Sequence, residues 1–253
     1  MKKLSILLFL LVMNCFSKKL YHNENLIYFW NFENENSFSS DVKSNVRLQT
    51  QGKVRWVPPE HSFNQTGAVH LHGDKSEGTM LIVPSYKMDF ELEEWTIDFE
   101  FGAGKHPLDH KERGAGGLMD GNLFQWADIK VSFRRSAINT FQGILIVDYR
   151  GRKKFIEGIR GNNWYYMAFR SEDEGVSVWI DSYCTNYIRS PRRSFAKHQM
   201  SFGGDGFAGR FDDIKLYNKR LRPWEIKDNY WGKEYEIDLR DQLITIWSNI
   251  KYR

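Results

Sequence analysis

The 253-residue sequence predicts an all-β chain folded as a two-sheet antiparallel sandwich. Three observations lead there. Leu92 to Phe101 alternates strictly, with Trp95, Ile97, Phe99 and Phe101 on one face and Thr96, Asp98 and Glu100 on the other, as a half-buried strand does. Short alternating runs recur between Gly-, Asn- and Asp-containing turns, without long helical periodicity through the middle of the chain. Aromatic residues make up 15% of the chain and there are only 6 prolines, a composition suited to a broad core filled by Phe, Trp and Tyr.

Residues 1–17 read as an export signal, because Lys2 and Lys3 precede the apolar run Leu4 to Met13, which is too short to span a bilayer. Leu11-Val-Met-Asn-Cys15 resembles a loose bacterial lipobox, with Asn14 where a small residue is usual. That resemblance implies lipidation at Cys15 and a membrane anchor; an ordinary signal cut near Ser17 is the alternative. Residues 18–25 are polar and form a tether, and a single domain is expected over 26–232. Its strands begin with Leu26 to Phe32, followed by Gly67 to Gly73, Thr79 to Val83 and Leu92 to Phe101. Gly102 to Gly121 is glycine-rich and aperiodic, hence a loop. Further strands are expected at 123–125, 129–133, 143–149, 154–159, 163–170 and 176–181, with turns at Arg150 to Arg152 and Glu172 to Gly175. In the closing stretch, Phe211, Asp213, Lys215 and Tyr217 alternate with Asp212, Ile214, Leu216 and Asn218. A short helix follows, with Pro223 in its first turn and Trp224, Ile226 and Tyr230 able to fold back onto the sheet. Residues 233–253 form a helical extension, since Leu239, Leu243, Ile246 and Ile250 recur at helical spacing behind an Asp238 N-cap.

The segment Phe207 to Tyr230, with Arg210-Phe-Asp-Asp-Ile-Lys-Leu-Tyr-Asn218 at its centre, resembles the closing segment of laminin G-like jelly rolls. Trp30-Asn-Phe-Glu-Asn34, Gly67-Ala-Val-His-Leu-His-Gly73, Asn163 to Arg170 and Val176 to Asp181 are similar to further strands of that family. The resemblance runs from about Leu26 to Trp231 and implies a two-sheet antiparallel jelly-roll sandwich of the concanavalin A-like class with a short C-terminal helix. It also implies a structural calcium ion, carried over onto Glu33, Asp41, Asn45 and Asp212, with backbone carbonyls and water completing the six to eight oxygens that calcium takes.

Enzymes on this fold carry E-x-D-x-(x)-E on one strand, placing nucleophile and acid about 5 Å apart. Here Thr96-Ile-Asp98-Phe-Glu100 keeps two carboxylates but has threonine at the nucleophile position, so Asp98 and Glu100 are expected to be solvated acids on an open face. Gly204-Asp-Gly-Phe-Ala-Gly209 matches G-x-G-x-x-G, yet a strand follows it and no helix, so its glycines are turn residues. His70 and His72 share a strand face with Asp74 beyond, a metal-like spacing for which no third ligand can be placed; surface histidines are expected. The basic runs Arg150 to Lys154 and Arg189 to Arg193, with Lys197 and His198, suit anionic glycans or simply solvated hairpin tips. Trp126, Trp164 and Tyr187 are candidates for a sugar-stacking platform. Cys184, the only cysteine besides Cys15, is expected to be a small buried apolar residue. A formal charge of +4, about +2 without Lys2 and Lys3, gives no reason to expect nucleic acid.

The expected function is an exported, lipid-anchored, non-catalytic binding module, periplasmic or at the cell surface, recognising a glycan or an extracellular or envelope protein. A carbohydrate-active enzyme using Asp98 with Glu100 or an acid from the Gly102 to Gly121 loop, and a ligand-free structural envelope protein, are the alternatives.

Overall fold

The computed structural model describes residues 24–36, 40–44, 46–59, 67–73, 78–104, 120–139, 141–190 and 198–231. The signal segment with Cys15, Asn45, Asp74, most of the glycine-rich loop, the basic residues 192, 193 and 197, and the extension 233–253 lie outside them.

Among the described residues fifteen strands form two antiparallel sheets, as the alternation predicts. They are β1 (Leu26–Trp30), β2 (Gln49–Gln51), β3 (Val54–Val57), β4 (Ala68–His72), β5 (Met80–Val83), β6 (Thr96–Ala103), β7 (Gly121–Trp126), β8 (Ile129–Arg135), β9 (Gln142–Tyr149), β10 (Arg152–Arg160), β11 (Trp164–Glu172), β12 (Gly175–Ile180), β13 (Tyr183–Arg189), β14 (Met200–Gly203) and β15 (Ala208–Tyr217). One helix, α1 (Pro223–Tyr230), follows β15. The first sheet runs β13-β12-β11-β6-β15-β4-β3, with β1 also on β15; the second runs β10-β9-β8-β7-β14-β5-β2. We call them the helix-side sheet and the open sheet. Among the described residues no helix is long and apolar enough to cross a membrane.

The core between the sheets is aromatic. Phe99 on β6 meets Phe124 and Phe202 of the open sheet, each at a ring-centroid distance of 5.4 Å, and Phe211 on β15 at 6.0 Å. Trp95 packs edge-on against Trp126 at 5.0 Å, which places Trp126 in the core and removes it as a surface platform.

In β15 the expected two-face assignment fails halfway. Phe211 points inward, but so do Ile214 and Leu216, while Lys215 and Tyr217 lie with Asp212 on the outer face. The cause is a bulge between Asp212 and Lys215, with Asp213 in the left-handed region at φ 46°. One extra residue reverses the side-chain parity of everything after it. At the other end of β15 the turn before Phe207 has Gly204 at φ 121° and Gly206 at φ 90°, so these glycines are turn residues as expected. In α1, Ile226 is buried and Tyr230 partly so, whereas Trp224 is exposed: Ile226, Asn229 and Tyr230, three and four apart, share the sheet-facing side, and Trp224, two before Ile226, does not.

Truncating Phe99 removes the ring on which both sheets converge. Phe99→Ala is expected to lower the unfolding free energy by roughly 3–5 kcal/mol, read from the urea midpoint with an unchanged slope.

Candidate functional site

The outer face of the helix-side sheet carries most of the chemistry-bearing residues singled out in the sequence, and much of it is sealed. A second apolar cluster, with Leu26, Phe29, Tyr166, Ala168, Trp179 and Tyr217 on the sheet and Leu221 and Ile226 from the α1 segment, closes its lower half. Thr96 fixes the register of that closure. Its hydroxyl donates to Lys219 O and accepts from Leu221 N, both at 2.9 Å. Arg170 adds a bond to Leu221 O at 3.1 Å, and Arg220 pairs with Asp173 at 2.7 Å. The position that would hold a glycosidase nucleophile is therefore a docking residue.

Asp98 and Glu100 are buried, not solvated as expected, because alternation identifies the face but not what covers it. Asp98 Oδ2 accepts from Asn229 Nδ2 of α1 at 2.7 Å, and that amide also donates to Tyr217 Oη at 3.0 Å. The Tyr166 hydroxyl approaches Asp98 without the geometry of a full hydrogen bond. Burial pushes the Asp98 carboxyl from 3.8 up to about 6, against the opposing pull of Lys215 and Asn229. Lys215 lies 3.6 Å from Asp213 and 4.9 Å from the centre of the Phe29 ring.

Higher on the same face, His70 is buried and His72 half-buried, their rings 4.8 Å apart. His70 is thus not the surface histidine that was expected, since Arg55 on β3 and Arg210 on β15 flank it in register. The Arg210 guanidinium crosses Gly102 and lies 4.8 Å above the centre of the Trp164 ring. A Cβ at Gly102 would stand 3.1 Å from Arg210 Nε, so the glycine makes this crossing possible. The stacked guanidinium covers part of Trp164, and burial lowers Arg210 to about 10. Asp212 faces Glu100 across the strand pair. Burial first, then Asp213 and Glu100, push its carboxyl well above the usual range.

Of the residues carried over for calcium, Glu33, Asp41 and Asp212 are described, and these three do not form a group placed to hold a metal ion. Glu33 is exposed, while the buried Asp41 carboxylate accepts from Phe29 N, Lys43 N, Ser44 N and Ser44 Oγ, tying the loop to the edge of β1 away from β15. Asp212 stands on β15, and Asn45 lies outside the described residues. Among the described residues no group of three or more His, Cys, Asp or Glu is placed to hold a metal ion.

The open sheet presents the opposite situation. Among the described residues no helix covers its outer face, and strand register lines up Ser201, Gln125, Lys130, Asp148 and Lys153 in one row across β14, β7, β8, β9 and β10. A second row holds Asn122, Ser132, Ile146 and Phe155. Two clefts of about 500 and 360 Å³ lie over these rows and share Asn122, Lys130 and Asp205, so they form one groove. At about 4.8 Å per strand the five-strand row spans roughly 19 Å. Asn122 donates to Asp205 and accepts from Ser132 Oγ at 3.3 Å, which holds the groove floor in place. Amides, hydroxyls, a carboxylate and ammonium groups alternate along it, the donors and acceptors that a hydroxyl-rich ligand needs. No motif announced this groove; its only sequence signal is the outward polar residue at alternate positions of β8 and β9.

The basic clusters are partly neutralised. Arg150 pairs with Asp128 at 3.2 Å, Arg189 with Glu174 at 3.2 Å, and Arg152 Nη1 donates to Arg189 O at 2.7 Å, linking the strands β10 and β13. Cys184 is exposed on β13, not buried, because it lies at the outer face of an edge strand opposite Trp179. Desolvation raises its thiol, so it is not an activated nucleophile. Tyr187 is exposed beside a separate cleft that it shares with Ser177 and Cys184.

No family model matches the sequence, and no curated protein matches it. Solved structures do. Domain 4 of AbnA, a GH43 extracellular arabinanase from Geobacillus stearothermophilus, in complex with arabinotriose, superposes with TM-score 0.56 at 14% identity, over 81% of this chain and 97% of that one. A botulinum neurotoxin type C structure, described for its interaction with two ganglioside molecules, gives TM-score 0.57 at 12% identity over 83% of this chain and 51% of that one. The binding domain of botulinum neurotoxin DC, in complex with rat synaptotagmin II, gives 0.57 at 12% identity over 84% and 52%. The chain thus spans about half the length of the two toxin chains. At these identities the likeness shows the fold, a β-sandwich of jelly-roll type.

Two outcomes follow from the sealed face. Thr96→Val leaves Leu221 N and Lys219 O without their partner, at a cost of about 1–3 kcal/mol each where buried. Hydrogen exchange should then quicken across 221–230 while the amides of β6 and β11 stay protected; uniform loss of protection would contradict a local clamp. For Asp98, a folded pKa raised to about 6 from 3.8 means that its contribution is full below the lower value and lost as pH rises through the upper one. The unfolding free energy relative to Asp98→Asn should therefore fall between those pH values, by up to about 3 kcal/mol, in paired denaturant titrations.

Proposed function

We propose that this chain is an exported, non-catalytic binding module whose open-sheet groove takes a glycan, and that Cys15 anchors it to a membrane through lipid. The observation that carries the glycan reading is the single groove shared by two clefts, lined in register by Asn122, Gln125, Lys130, Ser132 and Asp148 on the uncovered face. Its length suits an oligosaccharide more than a monosaccharide. Neighbours of the same fold described with arabinotriose or gangliosides support a glycan, and the synaptotagmin complex supports a protein ligand as the second choice. The acidic pair on β6 favours binding over hydrolysis: Asp98 is hydrogen-bonded to Asn229 beneath α1, and Thr96 is spent on the α1 segment.

The test is a glycan array with the protein, followed by titration of the best ligand. Gln125→Ala combined with Lys130→Ala should weaken binding by roughly tenfold or more, as loss of charged and neutral hydrogen bonds does, with the melting temperature unchanged. Binding indifferent to both substitutions, or release of shorter sugars that Asp98→Asn abolishes, would overturn the proposal. Export and anchoring are checked separately by metabolic labelling with a fatty acid, which Cys15→Ser should eliminate.

A further inference from the structure

The hairpin between β8 and β9 exposes two large apolar side chains at its tip: Ile138 is 99% exposed and Phe141 53%. The turn is nonetheless held by its own bonds. Ser136 N donates to Gln142 O at 2.7 Å, Ser136 Oγ accepts from Ile138 N at 3.2 Å, Asn139 Oδ1 accepts from Phe141 N at 2.9 Å, and Gly161 N donates to Phe141 O at 2.8 Å. These bonds hold the described residues of the turn with both side chains exposed to solvent, at a hydrophobic cost. Around them stand the exposed Arg134 and Arg135 at the end of β8 and Arg160 at the end of β10, in register with Gln142. Among the described residues the nearby acids are Asp120, which accepts from Arg135 N at 2.7 Å, and Glu157, so the described arginines are in excess.

We propose that this tip inserts into an anionic lipid surface. A convex turn offering two apolar side chains is far short of the roughly 1,200 Å² that a stable protein interface buries. The same shape enters the headgroup boundary of a bilayer readily, with Ile138 and Phe141 in the acyl region and the arginines level with anionic headgroups. Leu26 pairs with Tyr217, at the Thr96 end of β6, whereas the tip lies at the Ala103 end. The tip thus lies at the end of the sandwich opposite the start of β1. The tip shares neither Ile138 nor Phe141 with the groove, so insertion and glycan binding are separable.

The experiment places a polarity-sensitive fluorophore at the tip of the full chain, as Ile138→Cys with Cys15→Ser and Cys184→Ser, and adds phosphatidylcholine vesicles with or without phosphatidylglycerol. The expected result is a blue shift and quenching by lipid-borne quencher with phosphatidylglycerol only. Both should be lost at high salt and in a further Arg135→Glu, Arg160→Glu variant. Unlabelled Phe141→Asp, at an exposed position that leaves the melting temperature unchanged, should lower vesicle partition at the tip by roughly tenfold or more. A label that stays in water on both vesicle types overturns the proposal, even if the N-terminal segment holds the protein to the vesicles. So does an equal response to phosphatidylcholine alone, or a shift seen only when a second protein is added.

Discussion

The register in which the helix-side sheet is closed is set at Thr96, which bonds both Lys219 O and Leu221 N where the chain leaves β15 and turns back over the sheet. The two interactions divide the labour. Leu221 and Ile226 are buried almost completely, and each such side chain contributes about 1.5–3 kcal/mol, so apolar area supplies most of the attraction. Apolar area has no register. The hydroxyl and the Asn229 amide supply it, because a shift by one residue would strand backbone groups and the Asp98 carboxylate without partners. Pro223 adds to this by presetting the first turn of α1.

The cost of this closure is a set of buried charges. Asp98, Glu100, Arg210, Asp212 and Lys215 are all withdrawn from solvent on one face. Such groups rarely add net stability compared with apolar residues, but removing one partner leaves another charge stranded. Part of the compensation is visible: Lys215 between Asp213 and the Phe29 ring, Arg210 on Trp164, Asp98 Oδ2 on Asn229. A raised Asp98 pKa is what remains of the desolvation after those partners have acted.

The sequence made some of this legible and hid the rest for definite physical reasons. Strand β6 was legible because Ile97, Phe99 and Phe101 face a core, and a core enforces strict alternation. Strand β2 was not, since Gln-Thr-Gln carries no apolar periodicity and is exposed throughout. The faces of β15 were misread because the bulge rests on Asp213, a non-glycine residue at positive φ, which leaves no glycine to mark it. Thr96-x-Asp98-x-Glu100 was recognised as an incomplete catalytic pattern, but its actual role as a helix clamp depends on Leu221 and Asn229, more than a hundred residues away. The groove was hidden by topology. Ser201 and Gln125 are neighbours only because β14 is inserted beside β7, and no local pattern encodes that order.

The two outer faces differ in what can cover them. A helix can cover a sheet only where apolar side chains await it, as Phe29, Ala168, Trp179 and Tyr217 do beneath α1. The row from Ser201 to Lys153 offers no such patch; its amides, hydroxyls and charges would be left unsatisfied under an apolar cover. Water satisfies them at little cost, and so does a ligand bearing hydroxyl groups at comparable spacing. The side chains that cross strand order to make the groove are thus held rigid by a core they do not touch, with Phe124 and Phe202 on the inner face of the same strands. Rigidity from one face and unsatisfied polarity on the other is the combination that a binding surface requires, and the sandwich supplies both from alternate residues of the same strands.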